Sequence, residues 1–424
     1  MGAKISRNTD VQICRFQMCR FFDIKQGFID VQICGCANVQ MNKYRCVDFR
    51  CQGFLSCQHI IFHLHIRIFA HPYIILYLHI CIFAHLKNME LTYQPFELQL
   101  KHAFTIAKFS RTSTPVMLVQ LKHEGYTGYG EASMVPYMGE SHETATAFLS
   151  KVDISQISYP INFGAVINYL DSIAPGNPAI KAAIDIALHD LDGKIKQQPC
   201  WQLLGSDPAK MPVTSFTIGI DTPEMIIKKV KEAEGFKVIK VKLGKDNDKE
   251  LITTIRSVTD VPLYVDANQG WTDLQQSLDM TYWLQEQGVQ LIEQPMLKTD
   301  PDSNAWLTER SPIPIIGDEA VQRFEDVDKA KGVYTGINIK LMKSAGIYEA
   351  TRMIKRAREL DLKIMVGCMT ETSCAALAGL ALAPQSDWVD LDGPFLVSNN
   401  PYQMPDFAKG KYILNNDAGL GIRF

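Results

Sequence analysis

After Pro212 the chain settles into a beat that few folds can accommodate. Short apolar runs recur as VTSFTIGI (213–220), VIKVKLG (238–244), PLYVDAN (262–268), QLIEQP (290–295), PIIGDEA (314–320), GINIKLM (336–342), KIMVGC (363–368) and WVDLDG (388–393). Between them lie stretches of helical period such as PEMIIKKVKEAEG and SAGIYEATRMIKRARELD. Eight strands alternating with helices at this spacing predict a parallel β/α barrel of the TIM type. An open doubly wound sheet alternates in the same way, but the first run is not followed by a G-x-G-x-x-G turn.

Upstream the texture differs. Residues 89–135 alternate apolar and polar (ELTYQPFELQL, then PVMLVQLKHEGYTGYGEA), which predicts antiparallel strands with glycine turns. Residues 143–205 read as helical, most clearly in AIKAAIDIALHDLDGKI (179–195). The expected organisation is an α+β domain over 89–210, the barrel over 211–400, and a segment, 401–424, returning to the first domain.

Residues 1–88 do not share this pattern. They hold eight of the eleven cysteines and six of the ten histidines, and DVQIC (10–14, 30–34) and LHIRIFAH/LHICIFAH repeat without a common period. Cys14, Cys19, Cys34, Cys36, His63 and His65 form no paired C-x2-C or H-x3-H knuckles, so no zinc site is expected there. The apolar run 60–86 contains Arg67, Pro72 and five histidines, which argues against a membrane span. Met89 begins a credible strand at once, and the expectation is that 1–88 is upstream sequence outside the fold.

This leader carries ten Lys/Arg against four Asp/Glu, a net of +6 within a whole-chain net of −3, which leaves −9 for the remainder. An acidic body gives no electrostatic reason to expect nucleic acid or a membrane surface as partner. Its scattered Cys200, Cys368 and Cys374 suggest a reducing, cytoplasmic setting.

In a barrel of this type the chemistry sits at the carboxyl ends of the strands. There the second run offers Lys240 and Lys242, the third Asp266, the fourth Glu293, the fifth Asp318 and Glu319, the sixth Lys340, and the eighth Asp390 and Asp392. A single charge at a strand end is usually a solvated loop residue or a helix cap. Three consecutive strands each ending in a carboxylate match the oxygen ligands that Mg2+ requires, so Asp266, Glu293 and Asp318 are its expected ligands. Lysine-bearing strands flank them on either side. A lysine beside another cation has its ammonium disfavoured, which suits a general base. The pattern therefore reads as a metal-bound carboxylate with a base on each face of its α-carbon, the metal stabilising the enolate left when the α-proton departs. The plain alternative is lysines paired with carboxylates in a metal-free mouth.

In this order the residues resemble the enolase superfamily, and within it the muconate-lactonizing subgroup. The likeness runs from Met89 to the end, through GEA (130–132), AAIDIALHDLDGK, PCWQLLG, IKVKLG, VDANQGW, IEQP, GDEA, NIKLMKSAGI and GLGI (419–422). It implies a modified TIM barrel, (β/α)7β, under an α+β capping domain, and an oligomer. It implies that Lys242 and Lys340 are the acid/base pair, with Lys240 assisting electrostatically; Lys343 competes with Lys340 on spacing alone. DLDG (390–393) resembles the D-x-D signature of dipeptide epimerases, in which Asp390 and Asp392 would hold the substrate's N-terminal ammonium. The resemblance thus implies a Mg2+-dependent dipeptide epimerase, with an N-acylamino-acid racemase, an o-succinylbenzoate synthase or a non-catalytic metal-binding scaffold as alternatives. Epimerases for L-Ala-D/L-Glu carry an arginine in the first capping-domain loop. Here that loop, HAFTIAKFSRTST (102–114), places Phe109 or Ser110 at the position, with Lys108 and Arg111 displaced from it. The expectation is a small or apolar second residue, as in Ala-Ala or Ala-Phe.

Overall fold

The computed structural model describes residues 23–25, 28–30, 89–106 and 109–424. The chain divides into two units, residues 1–86 and residues 87–424. In the first, strands β1 (Asp23–Lys25) and β2 (Phe28–Asp30) pair antiparallel. The cysteine and histidine set considered for zinc, the apolar run 60–86, and Lys108 all lie outside the described residues.

The second unit opens with a three-stranded antiparallel sheet, β3 (Glu90–Ile106), β4 (Phe109–His123) and β5 (Tyr126–Ser133). Residues 102–106 and 109–114, read from the sequence as parts of a loop, lie instead on the paired strands β3 and β4. Phe104 pairs with Arg111, Thr105 with Ser110 and Ile106 with Phe109. The register shifts between Gln99 and Phe104, an irregularity of the kind that bends a strand and increases its twist.

Helices α1 (His142–Leu149), α2 (Phe163–Ile173) and α3 (Pro178–Lys196) complete this domain. The alanine-rich α3 is buried on nearly every side. Its smooth surface lets β5 lie directly on its backbone. A Cβ on Gly128 or Gly130 would stand 2.0 Å from the Ala187 carbonyl oxygen or 1.9 Å from that of Ala183, so the contact requires glycine.

The barrel strands are β6 (Ser215–Ile218), β7 (Val238–Lys242), β8 (Leu263–Asp266), β9 (Val289–Glu293), β10 (Ile315–Gly317), β11 (Gly336–Lys340), β12 (Lys363–Gly367) and β13 (Trp388–Asp390). They are neighbours in chain order, and a parallel bridge between Thr214 and Val389 closes the ring. Seven helices follow the first seven strands: α4 (Pro223–Glu232), α5 (Asp248–Arg256), α6 (Leu274–Glu286), α7 (Pro301–Arg310), α8 (Phe324–Ala330), α9 (Ile347–Glu359) and α10 (Ser373–Leu380). After β13 the only described helix is the short Gly393–Leu396, followed by a two-stranded pair at Phe407–Ala408 and Lys411–Tyr412, so the architecture is (β/α)7β with a separate antiparallel capping domain.

Buried carboxylates join the two parts. Glu131 on β5 accepts from the backbone N–H groups of Thr372 (2.8 Å) and Ala375 (3.2 Å), taking the N-terminus of α10. Asp185 on α3 does the same at α9, accepting from Ile347 N at 2.5 Å. Arg323 grips Glu349 (2.6 and 2.7 Å) and reaches across to Asp171 on α2 (2.9 Å). At the chain's end, Leu420 N donates to Asp190 on α3 at 2.8 Å. Two further hydrogen bonds hold the β3–β4 pair against the barrel rim. Ile220 N, just past β6, donates to Thr105 O (2.9 Å), and Arg111 donates to Thr370 Oγ1, just past β12 (2.8 Å). No described helix is long and apolar enough to cross a membrane.

Candidate active site

Side chains on a strand alternate, so in β7 Lys240 and Lys242 point into the barrel while Ile239 and Val241 face outward, all of them buried. Parallel pairing then sets the layers. Lys242 lies beside Asp266, and Asp266 beside Glu293, across β7, β8 and β9. On the other side Lys340, Gly367 and Asp390 are in register across β11, β12 and β13. Asp318 follows β10 directly. Strand register alone therefore gathers these charges at one end of the barrel.

Asp266, Glu293 and Asp318 are buried, and one oxygen of each lies within 4.8 Å of the others. Lys242 donates to Asp266 at 2.5 Å and Lys340 to Asp318 at 2.7 Å, so the two lysines approach from opposite ends of the group. Nearby, Asn268 Oδ1 and Glu319 Oε2 are buried without a hydrogen-bond partner. Three hard oxygen donors, all desolvated and converging, fit a divalent cation such as Mg2+.

The electrostatics are strongly divided. Burial pushes the Glu293 carboxyl up to about 7, and the charges of Asp266 and Asp318 add to the rise. For Asp318 burial acts in the same direction, but the ammonium groups of Lys340, Lys343 and Lys240 outweigh it and hold the carboxyl well below its ordinary value. Asp266 is likewise held down, by Lys242 and Lys240 against burial.

Lys240 has a more specific place than electrostatic assistance. Its Nζ lies 2.6 Å from Glu293, 2.7 Å from Asp390 and 3.4 Å from Asp266, bridging the triad to the eighth strand. Burial opposes its charge, yet these carboxylates together push its pKa well above the ordinary value.

Asp390 also accepts from Ser215 Oγ (2.7 Å), and Asp392 accepts from Thr217 N (2.5 Å). Asp392 makes no ion pair with any described residue, and burial, then the neighbouring Asp390, pushes its carboxyl up to about 7. The pair thus holds one more carboxylate than it has cations. Of the two capping-domain candidates, Phe109 is partly buried and Ser110 is exposed, its hydroxyl 2.9 Å from that of Thr105. Arg111 is the residue that reaches the rim, held by Thr114 (3.0 Å) and Thr370 (2.8 Å).

Glu371 was not anticipated. It is buried just beyond β12 and accepts from Met369 N at 2.9 Å. Its sequence signal was present but late: CMTETS carries its charge three residues past the end of the apolar run. Burial first, then the Glu131 charge, raises its pKa from 4.5 to about 8. The folded state therefore binds this proton more tightly than the unfolded chain. Its contribution to stability is complete below pH 4.5 and is lost as pH rises through about 8. We expect wild-type stability to carry a component from Glu371 falling by ~1.4 kcal/mol per pH unit across that window. Glu371→Gln should flatten it, as measured by denaturant unfolding near both ends of the window. Parallel pH profiles for the two proteins would show that Glu371 does not titrate there.

Comparison with known proteins agrees with this architecture. Residues 90–205 match the mandelate racemase/muconate lactonizing enzyme N-terminal domain, and residues 225–424 match the enolase C-terminal domain-like family. An L-Ala-D/L-Glu epimerase of Bacteroides thetaiotaomicron is 51% identical over 335 residues, covering 79% of this chain and 88% of the relative. An L-Ala-D/L-amino acid epimerase of Pedosphaera parvula is 40% identical, covering 76% and 95%. Among solved structures, the Enterococcus faecalis V583 dipeptide epimerase complexed with Mg and L-Leu-L-Tyr superposes with a TM-score of 0.74 at 30% identity, covering 80% of this chain and 100% of that one. The protein belongs to the enolase superfamily, in its mandelate racemase/muconate lactonizing enzyme branch, and both curated relatives named above are epimerases.

Proposed function

We propose that the protein is a Mg2+-dependent dipeptide epimerase that inverts the α-carbon of the substrate's C-terminal residue by 1,1-proton transfer. The observation that carries this reading is a second buried carboxylate pair, Asp390 and Asp392, beside the triad and short of one cation. A buried anion lacking a partner is matched by a substrate ammonium, which a muconate or a succinylbenzoate does not have. The names of the relatives support the same class of substrate.

Asp266, Glu293 and Asp318 would hold the cation. When bound there, Mg2+ would offset the negative charge that develops on the substrate carboxylate as the α-proton leaves. One of Lys242 and Lys340, in its neutral form, takes that proton. The other, as an ammonium, delivers a proton to the opposite face of the same carbon, so one C–H bond breaks and another forms with inversion. Lys240 stays charged and keeps Asp390 and Glu293 in place.

For the second residue, Phe109 and Ser110 at the hairpin end favour a small or apolar side chain. A second reading rests on Arg111, whose guanidinium is braced at the rim by Thr370 and would suit an acidic one. Buried thiols at Cys200, Cys368 and Cys374 accord with the reducing cytoplasm we propose as its setting, and family likeness with a homo-oligomer. The test is α-proton exchange in deuterated water with Mg2+ across a panel of Ala-Xaa dipeptides. Exchange of dipeptides is expected. Exchange of N-acylamino acids alone would overturn the reading, and exchange of only acidic dipeptides would remove the apolar preference.

A further inference from the structure

We propose that Lys343 is a positioning residue for the cation site, locking Asp318 in place from behind, and takes no part in proton transfer. Spacing alone leaves Lys343 level with Lys340 as an acid/base candidate. The fold separates them. β11 ends at Lys340 and the chain turns at once, with Lys343 N and Ser344 N both donating to Lys340 O (2.9 and 3.1 Å). The turn carries the Lys343 side chain away from the mouth into full burial.

There its Nζ meets the carbonyl oxygens of Asp318 (2.6 Å), Val321 (3.0 Å) and Asn338 (3.1 Å), and also Asp318 Oδ1. An ammonium has three N–H donors, and four oxygens already surround this one. Nothing is left for a substrate. The acceptors it joins belong to two pieces of chain, the 318–321 turn after β10 and strand β11.

Both pieces carry the cation site. Asp318 has Oδ1 on Lys343 and Oδ2 on Lys340 at 2.7 Å, so its carboxylate plane is fixed from two sides. Gln294 Oε1 accepts from Asp318 N (2.9 Å) and Ala320 N (3.1 Å), holding the same turn from β9. Asn338, whose carbonyl Lys343 binds, donates its side-chain amide to Glu293 Oε1 at 2.9 Å. Lys343 thus cross-links the supports of two of the three proposed ligands. Residues that orient metal ligands in this way govern affinity for the ion without touching it.

The inference rests on the cation reading above, and the experiment separates the two. Mg2+ binding to metal-free wild type, Lys343→Met and Lys343→Gln is measured by titration calorimetry, alongside denaturant unfolding without metal and kcat at saturating Mg2+. Methionine keeps much of the buried volume and removes every N–H; glutamine keeps two. We expect Lys343→Met to weaken Mg2+ binding by ~10–100-fold, Lys343→Gln to weaken it less, and excess Mg2+ to restore most of kcat. If Lys343→Met does not fold, the glutamine variant carries the comparison. Unchanged Mg2+ affinity in a folded variant would overturn the proposal, whether stability or kcat is what falls. A kcat that excess Mg2+ cannot restore would overturn it too, by placing Lys343 in the chemistry. A wild type that binds no Mg2+ would remove the cation reading itself.

Discussion

Lys242→Ala and Lys340→Ala are each expected to lose epimerisation by roughly 10²–10⁴-fold, the usual contribution of a positioned acid/base group, while remaining folded. The loss should be asymmetric. Lys242 is anchored at Asp266 and Lys340 at Asp318, at opposite ends of the triad, so under the proposed mechanism each would serve one face of the substrate's α-carbon. In deuterated water the Lys242→Ala protein should still exchange the α-proton of one epimer, the one whose C–H bond faces Lys340. Lys340→Ala should exchange only the other. Proton NMR of the two separate dipeptide epimers reads this directly. If either variant exchanged both epimers at comparable rates, the two-base assignment would fail. A barrel used only as a metal-binding scaffold would show no exchange in any version, wild type included.

The barrel was legible because its strands are short apolar runs at even spacing, and because strand alternation puts Lys240 and Lys242 on one face without further information. The triad was legible because each carboxylate ends or directly follows its own strand, so register needs no side-chain detail to bring Asp266 and Glu293 together. What lay beyond strand ends was not readable. Lys340 and Lys343 differ by three residues, and only the turn after β11 decides which faces the mouth. Glu371 lies past the end of β12, where a charge looks like an ordinary loop residue. Around Arg111 the sequence reads as a loop. The residue sits instead on a paired strand whose register has shifted, and that shift sets where its side chain falls. Periodicity encodes regular strands well; a bulge or a tight turn adds a residue without leaving a trace in the pattern.

The aspartate pair at the end of the eighth strand should distinguish a dipeptide epimerase from its relatives, and the two positions should not respond alike. Asp392 is held by Thr217 and makes no ion pair with a described residue, so Asp392→Asn should leave the triad and its lysines undisturbed. Its expected cost is the loss of a buried charge pair with the substrate ammonium, roughly 2–5 kcal/mol, or about 1.5 to 4 powers of ten in kcat/KM. Most of that should appear in KM. The wild-type carboxyl is pushed up to about 7 by burial and by Asp390, so wild-type KM should also rise as pH falls below that value. Asp390→Asn reaches further. Asp390 shares Lys240 with Glu293 and Asp266, and neutralising it throws that ammonium wholly onto the triad. Both kcat and KM should suffer, and Mg2+ binding should weaken because a cation now competes with a better-paired lysine. An N-acetylated dipeptide supplies the control, since it has no ammonium to lose. Wild type and Asp392→Asn should turn it over equally poorly. If Asp392→Asn instead slowed the acetylated and free dipeptides by the same factor, the aspartate would be shaping the barrel mouth and not reading the amine.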